Sequence, residues 1–155
     1  MINILRYREI LAELKSKINA RTDTLIDGVI IAVSDKHLTK KLRDQTGLFL
    51  CSNYPDAESK GGTDNYQEYN RLLLFLLEKV PAGDETDEEE MKHYARIQAV
   101  MQILKEEIRE MNFVCGEISG GAETCTEWEY DVFGGFNGLS IGFKLTDYDL
   151  SLIHI

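Results

Sequence analysis

The sequence predicts an α+β domain, with an antiparallel or mixed sheet of about four to five strands packed by an N-terminal helix and one long helix. Three observations predict this class. Apolar residues recur at helical spacing over residues 4–18 and again over 94–111. Short β-branched or leucine-rich runs lie between turn residues in the first half of the chain. Two segments near the C-terminus alternate apolar and polar residues, which is typical of strands with one buried face.

The N-terminal segment predicts an amphipathic helix over residues 4–18. Charged residues separate the members of its apolar stripe, so the opposite face is expected to meet water. Because charge is mixed in from the first turn, the segment is not expected to be a secretory signal. The stripe consists of Ile4, Tyr7, Leu11, Leu14 and Ile18.

Two strands and a short helix are predicted next. The strands are GVIIAVS (Gly28 to Ser34) and LFLCSNY, and the helix is DKHLTKKLRDQTG between them. Its basic segment KHLTKKLR is interpreted as a solvated face, with a local basic patch as the alternative. The polar, glycine-containing segment Pro55 to Asn65 predicts a loop that projects from the domain.

The segment YNRLLLFLLEKVP is interpreted as a central strand, since Pro81 ends the apolar run after few residues for a helix. A long helix is then predicted from Asp87 to Met111. It begins at a capping box formed by Thr86 and Glu89. Its expected buried stripe includes Tyr94, Ile97, Met101, Leu104 and Ile108.

Two antiparallel strands are expected to close the domain. In TEWEYDVF the predicted buried side chains are Trp128, Tyr130 and Val132, and in LSIGFKLT they are Leu139, Ile141, Phe143 and Leu145.

The glycine-rich segment between these strands could cradle a phosphate or form a corner. A phosphate loop leads from a strand into a helix, whereas a strand follows this segment. Gly134, Gly135 and Gly138 are therefore predicted to supply positive φ angles in a corner. Phe133 and Phe136, with Asn137 beside them, are the candidate interface residues, because aromatics on an exposed corner favour a partner. The alternative is that the two aromatics cap the domain's own core.

No catalytic, cofactor-binding or metal-binding residues are predicted, so the chain is not expected to be an enzyme. His93 has Glu89 and Glu90 one turn before it, which suggests a surface pair rather than a metal site. The cysteines show no C-x-x-C spacing and are expected to be buried free thiols; they are Cys51, Cys115 and Cys125.

The chain has 155 residues and a formal net charge of −10. This charge disfavours binding to nucleic acid or to an anionic membrane through the general electrostatic field, and no apolar run is long enough to span a bilayer.

Residues 1–149 are predicted to form one domain. The last six residues, LSLIHI (150–155), resemble a translation of the sequencing adapter CTG-TCT-CTT-ATA-CAC-ATC. They are therefore expected to be a non-native tail. The alternative is a natural C-terminal strand.

The order of elements resembles that of small tail-terminator and tail-completion proteins of bacteriophages. The resemblance is carried by ILRYREILAELKSKI, by the strands GVIIAVS and LFLCSNY, by LLLFLLEKVP leading to MQILKEEI, and by WEYDVFGGFNGLSIGFKL. It implies a structural subunit that forms a homo-oligomer or docks on other tail proteins, present in the host cytoplasm during assembly and then in the virion. The alternative is an intracellular α+β binding or adaptor domain without catalytic activity.

Overall fold

The computed structural model describes residues 1–61, 67–79, 85–111 and 124–146. Within these ranges the chain forms three helices and one mixed sheet of six strands, which confirms the α+β class and exceeds the expected strand number. The elements are α1 (Ile4–Asn19), β1 (Gly28–Ala32), α2 (Asp35–Leu42), β2 (Leu48–Asn53), β3 (Asp56–Lys60), β4 (Gln67–Lys79), α3 (Asp87–Glu110), β5 (Cys125–Val132) and β6 (Phe136–Thr146).

The sheet is built around the long strand β4. The strand order is β1-β2-β4-β6-β5, with β3 also paired to β4. Strand β3 pairs with the first part of β4 and β2 with the last part, while β6 runs along the opposite side. Only the β1–β2 pairing is parallel among the described pairs; the others are antiparallel. Among the described strands, the order therefore ends at β1 on one side and at β5 on the other.

The strand predicted over YNRLLLFLLEKVP is confirmed as β4. Successive side chains point to opposite faces of a strand, so Leu74 and Leu76 enter one core while Phe75 and Leu77 enter the other. The first core lies between the sheet and helices α1 and α3, and the smaller second core lies under α2. Burial on both faces explains why the segment is an unbroken apolar run.

The prediction of a projecting loop from Pro55 to Asn65 is wrong for the first part of this segment. Residues Asp56–Lys60 form β3, although their composition is polar. Its ladder with β4 is accompanied by an ion pair between Arg71 and Glu58, 2.8 Å apart. A polar sequence is compatible with this exposed position because backbone pairing, rather than apolar burial, holds the strand. Residues 62–66 lie outside the described part of the chain.

Helix α3 begins where the capping box predicts, with the Thr86 hydroxyl accepting from the Glu89 N–H at 3.2 Å. The expected stripe is confirmed for Ile97, Met101, Leu104 and Ile108, all buried. Met111, the predicted last residue, is the C-cap instead.

The prediction that Tyr94 belongs to the buried stripe of α3 is wrong, because its side chain is half-buried. The buried face of α3 also includes three residues outside the predicted stripe: His93, Val100 and Glu107. The buried face is wider because α1 packs on α3 as well as the sheet does. Glu107 is held by Arg21, whose Nη1 lies 2.9 Å from its Oε1.

The buried face predicted for β5 is also wrong. Trp128 is 59% exposed and Tyr130 is 70% exposed, and Val132 is half-buried against the second core. Strand β5 is the last in the sheet order, so its side chains have fewer neighbours than those of an inner strand. In β6, by contrast, Leu139, Ile141 and Phe143 are buried as predicted.

The corner between β5 and β6 is confirmed. Gly134 and Gly135 have φ angles of +86° and +105° in the turn between these strands. Gly138 does not have the predicted positive φ; it lies inside β6. A Cβ at this position would overlap the carbonyl oxygen of Leu76, so Gly138 allows β6 to lie close to β4. The side chain of Leu145, together with Cys115 and the tail 150–155, lies outside the described residues.

Candidate functional site

The outer edge of β1 is one place where the sheet can meet another chain. Backbone groups of successive residues in a strand point to opposite sides. The Ala32 carbonyl accepts from Tyr54 N–H at 2.8 Å, on the side of β2, so the Ile31 carbonyl points outward. There it accepts a hydrogen bond from Lys41 Nζ at 2.6 Å. Among the described strands, none lies on this outer side of β1.

A groove of about 420 Å³ runs along this edge. Its floor and walls come from the start of α1, from β1 and from the end of α2. The described residues that line it include two cations, Arg8 and Lys41, and no anion. The lining residues are Ile4, Leu5, Arg8, Val29, Ile30, Ile31, Lys41, Gln45 and Tyr54.

Helix α2 adds further positive charge beside the groove. Lys36, Lys40 and Arg43 are exposed, as expected for a solvated basic face. With His37 they line a second, shallower depression. His37 also belongs to the edge, because its Nδ1 accepts from the Val33 N–H at 3.1 Å. The described residues that line the two depressions thus include cations and no acids, although Asp35 and Asp44 lie nearby and the whole chain has a formal net charge of −10.

The opposite edge, β5, carries aromatic and acidic side chains. Trp128 and Tyr130 are exposed, and Glu127, Glu129 and Asp131 alternate with them along the chain. The edge is attached to the domain through α3: the Tyr94 hydroxyl donates to the Glu129 carbonyl at 2.8 Å. The pairing of β5 with β6 is irregular between Glu129 and Val132, where Asp131 has a positive φ of 50°.

The predicted interface residues lie at the corner that follows β5. Phe136 is 1% exposed and packs in the second core, which corresponds to the alternative of capping the domain's own core. Phe133 is half-buried and meets the Phe75 ring edge-on, with centroids 5.1 Å apart. Asn137 is buried, and its Oδ1 accepts from the Asp131 N–H at 2.6 Å. The structure thus places these residues within the corner itself, and a contact between the corner and a partner stays a prediction.

The predicted surface pair of His93 with Glu89 or Glu90 is wrong. Its ring is buried and turned toward β4, where its Nδ1 lies 3.6 Å from Glu78 Oε1. Arg96 donates to the same carboxylate at 2.6 Å. Sequence spacing could not reveal this group, because Glu78 belongs to another element. In the described parts of the chain, no group of three or more His, Cys, Asp or Glu residues could hold a metal ion.

The described cysteines differ in their surroundings. Cys51 is buried in the second core, and burial raises the pKa of its thiol, which keeps it protonated and unreactive. Cys125 is exposed at the start of β5, which corrects the expectation that it is buried. Two buried hydroxyl groups, those of Tyr7 and Ser52, join α1 to β2 by a 2.7 Å hydrogen bond. Its position inside the core gives it a structural role.

Comparison with known proteins identifies no relative. No protein-family model matches the chain, and searches of curated proteins and of solved structures gave no match. Among the described helices, none combines the length and apolar character needed to cross a membrane.

Proposed function

We propose that this protein is a non-enzymatic structural or assembly subunit that associates with copies of itself or docks to other components of a bacteriophage tail or tail-like particle. It would assemble in the host cytoplasm and then reside in the virion. The single observation that carries the proposal is the pair of exposed aromatics on edge strand β5, Trp128 and Tyr130.

Exposed aromatics on an edge strand favour association for two reasons. An edge strand presents unpaired backbone groups to which another chain can add. Tryptophan and tyrosine are also enriched among the residues that contribute most to protein–protein binding. Strand β5 combines the edge position with two exposed aromatic side chains, Trp128 and Tyr130.

The net charge of −10 supports a role in a particle through which DNA passes. An acidic wall repels the phosphate backbone, so DNA would not adhere to a channel made of such subunits. The similarity of the element order to tail-terminator and tail-completion proteins supports the same role.

The groove along β1 favours a second candidate function, that of a binding or adaptor domain without catalytic activity. An open strand edge beside an apolar groove could take up an extended peptide from a different protein. The two functions differ in what the isolated chain does: a structural subunit associates with itself or with tail components, whereas an adaptor stays monomeric until its ligand is added.

The experiment is light scattering coupled to size exclusion over a wide concentration series. The wild type should show a mass that rises with concentration, and the double substitution Trp128→Ala with Tyr130→Ala should remain monomeric. Leu73→Ala is the matched control, since Leu73 is an exposed apolar residue on the inner strand β4, away from both edges of the sheet. A second arm co-expresses the wild type with the proteins encoded by neighbouring genes. A chain that stays monomeric and captures no portal, tail-tube or tape-measure protein would contradict the proposal.

A further inference from the structure

We infer that the sheet continues from one copy of this protein to the next, with strand β5 of one copy docked along the outer edge of β1 of another. This inference rests on the proposed self-association and specifies which surfaces meet. The occupant of the β1 groove is thus a second copy of the chain, through its acidic aromatic edge.

The β1 edge has the backbone geometry to accept a strand. Because groups alternate along a strand, Val29 and Ile31 both direct their N–H and C=O groups to the outer side. Of these groups, the Ile31 carbonyl accepts a hydrogen bond from Lys41 Nζ. Because the Lys41 side chain is long and exposed, an incoming strand can displace it. The groove beside it is lined by apolar side chains that can receive a large aromatic residue.

Charge decides which edge is accepted. Two β1 edges placed together would bring Arg8 and Lys41 of both copies into proximity, and two β5 edges would bring Glu127 and Glu129 together. Like charges on paired strands are destabilising, whereas opposite charges stabilise the pair. Of these three arrangements of the described edges β1 and β5, the β1–β5 arrangement alone places the cations against the acids.

The aromatic residues of β5 supply the apolar part of the contact. Trp128 is directed toward α3, where its ring meets Tyr94, and its remaining surface is exposed. Tyr130 is more exposed still. Large side chains of this kind match the apolar lining of the groove, which includes Leu5 and Tyr54, both themselves exposed.

The arrangement has a consequence for the assembly. A contact between two different surfaces leaves a β1 edge open at one end of each dimer and a β5 edge open at the other. Such head-to-tail contacts form a closed ring when the rotation between copies permits it, and an extended filament when it does not. If both copies used the same surface for the contact, as in an isologous dimer, association would stop at two copies.

Charge reversal tests the pairing. One variant carries Arg8→Glu with Lys41→Glu, and the other carries Glu127→Lys with Glu129→Lys. Each alone should associate at least about tenfold more weakly than the wild type in low salt, because like charges then face each other. Their equimolar mixture should recover association in a one-to-one ratio, since every contact in it can again pair opposite charges.

Two controls keep the result interpretable. Lys17→Glu with Lys92→Glu alters the net charge as the first variant does, but these residues neither line the groove nor belong to β5, so association should stay near the wild-type level. Glu129 also accepts from the Ser140 hydroxyl at 2.8 Å, so Glu127→Lys alone serves as a second form of the β5 variant, and circular dichroism checks folding.

The outcomes separate this inference from the proposed function. A wild type that associates while either charge variant associates equally well, or while the mixture shows no recovery, would overturn the β1–β5 pairing and leave self-association standing. A wild type that is monomeric at all concentrations would overturn the pairing, and it would overturn the proposed function as well if the co-expression arm captured no tail component. Weakening of each variant together with recovery in the mixture supports both.

Discussion

Tyr94 fastens the edge strand β5 to helix α3 through Trp128 and Glu129. The Tyr94 and Trp128 rings meet edge-to-face with centroids 5.7 Å apart, while the Tyr94 hydroxyl donates to the Glu129 carbonyl at 2.8 Å. Burial and the nearby carboxylates raise the pKa of Tyr94 above its ordinary value, so the hydroxyl keeps its donor proton to a higher pH than a free tyrosine does. An anchor whose position is fixed before binding loses less conformational entropy on association.

The first prediction concerns this contact. Tyr94→Ala should lower the stability by about 0.5–1.5 kcal/mol for the lost aromatic pair, in addition to the lost apolar contact area. It should also weaken self-association, because Trp128 is no longer held. Tyr94→Phe, which keeps the ring, is the matched control and should retain most of the association. Urea denaturation measures the stability, and sedimentation measures the self-association. If both variants self-associate as strongly as the wild type does, Tyr94 does not position Trp128 for binding.

The second prediction compares two glycines of strand β6. Gly138→Ala should destabilise the fold by at least about 1–3 kcal/mol, because its Cβ would overlap the Leu76 carbonyl oxygen of the neighbouring strand. Gly142→Ala should be close to neutral, since its Cβ would be 3.7 Å from the Leu73 side chain, an ordinary contact. Thermal unfolding of both variants checks the difference. Equal midpoints would show that β6 and β4 are not closely apposed at Gly138.

The third prediction concerns the main core. Leu104 is fully buried between α3 and the sheet, so Leu104→Ala should lower the free energy of unfolding by roughly 2–5 kcal/mol. Met91→Ala, on the exposed face of the same helix, should change it by less than about 0.5 kcal/mol. Chemical denaturation measures both. An unchanged midpoint for Leu104→Ala would mean that this face of α3 does not pack on the core.

The fourth prediction is a dependence on alkaline pH. Burial raises the pKa of Tyr7 well above its ordinary value, against a smaller opposite effect of the hydrogen bond to Ser52. The unfolded chain therefore loses this proton at a lower pH than the folded chain, and the stability falls as pH rises above about 10. Below that pH the contribution is fully present.

Tyr7→Phe isolates the effect of this hydroxyl from that of other groups, including Cys51, whose pKa burial also raises. At pH 8 the variant should be less stable than the wild type by about 0.5–1.5 kcal/mol, for the lost hydrogen bond. Between about pH 10 and 11 the difference should shrink, because only the wild type has the Tyr7 proton to lose. Urea denaturation across this range is the measurement, and a difference that stays constant would contradict the assignment.

Local patterns in the sequence predicted the elements well where one physical cause dominates. The stripe of Leu104 and Ile108 follows the helical period, and the run Leu72 to Leu77 follows from a strand buried on both faces. The Thr86 cap and the turn at Gly134 and Gly135 are local chemistry, set by a hydroxyl acceptor and by positive φ.

The errors arise where tertiary neighbours decide. The alternation in β5 is genuine, but Trp128 and Tyr130 are exposed because the strand lies at the end of the sheet, which no local pattern encodes. Gly138 is needed for its close approach to β4 rather than for its φ angle. The β1 edge, with Lys41 on the Ile31 carbonyl, depends on the strand order and was not identified from the sequence.

Amide hydrogen exchange of the wild type, measured at low and at high protein concentration, tests the central claim most directly. If copies associate through their open edges, slowing of exchange at high concentration should concentrate at Val29 and Ile31 of β1 and along β5 around Trp128 and Tyr130. The slowing at these edges should exceed that at the inner strand β4, where association acts only through the global stability. Exchange at β1 and β5 that is independent of concentration, up to the highest concentration reached, would contradict the account.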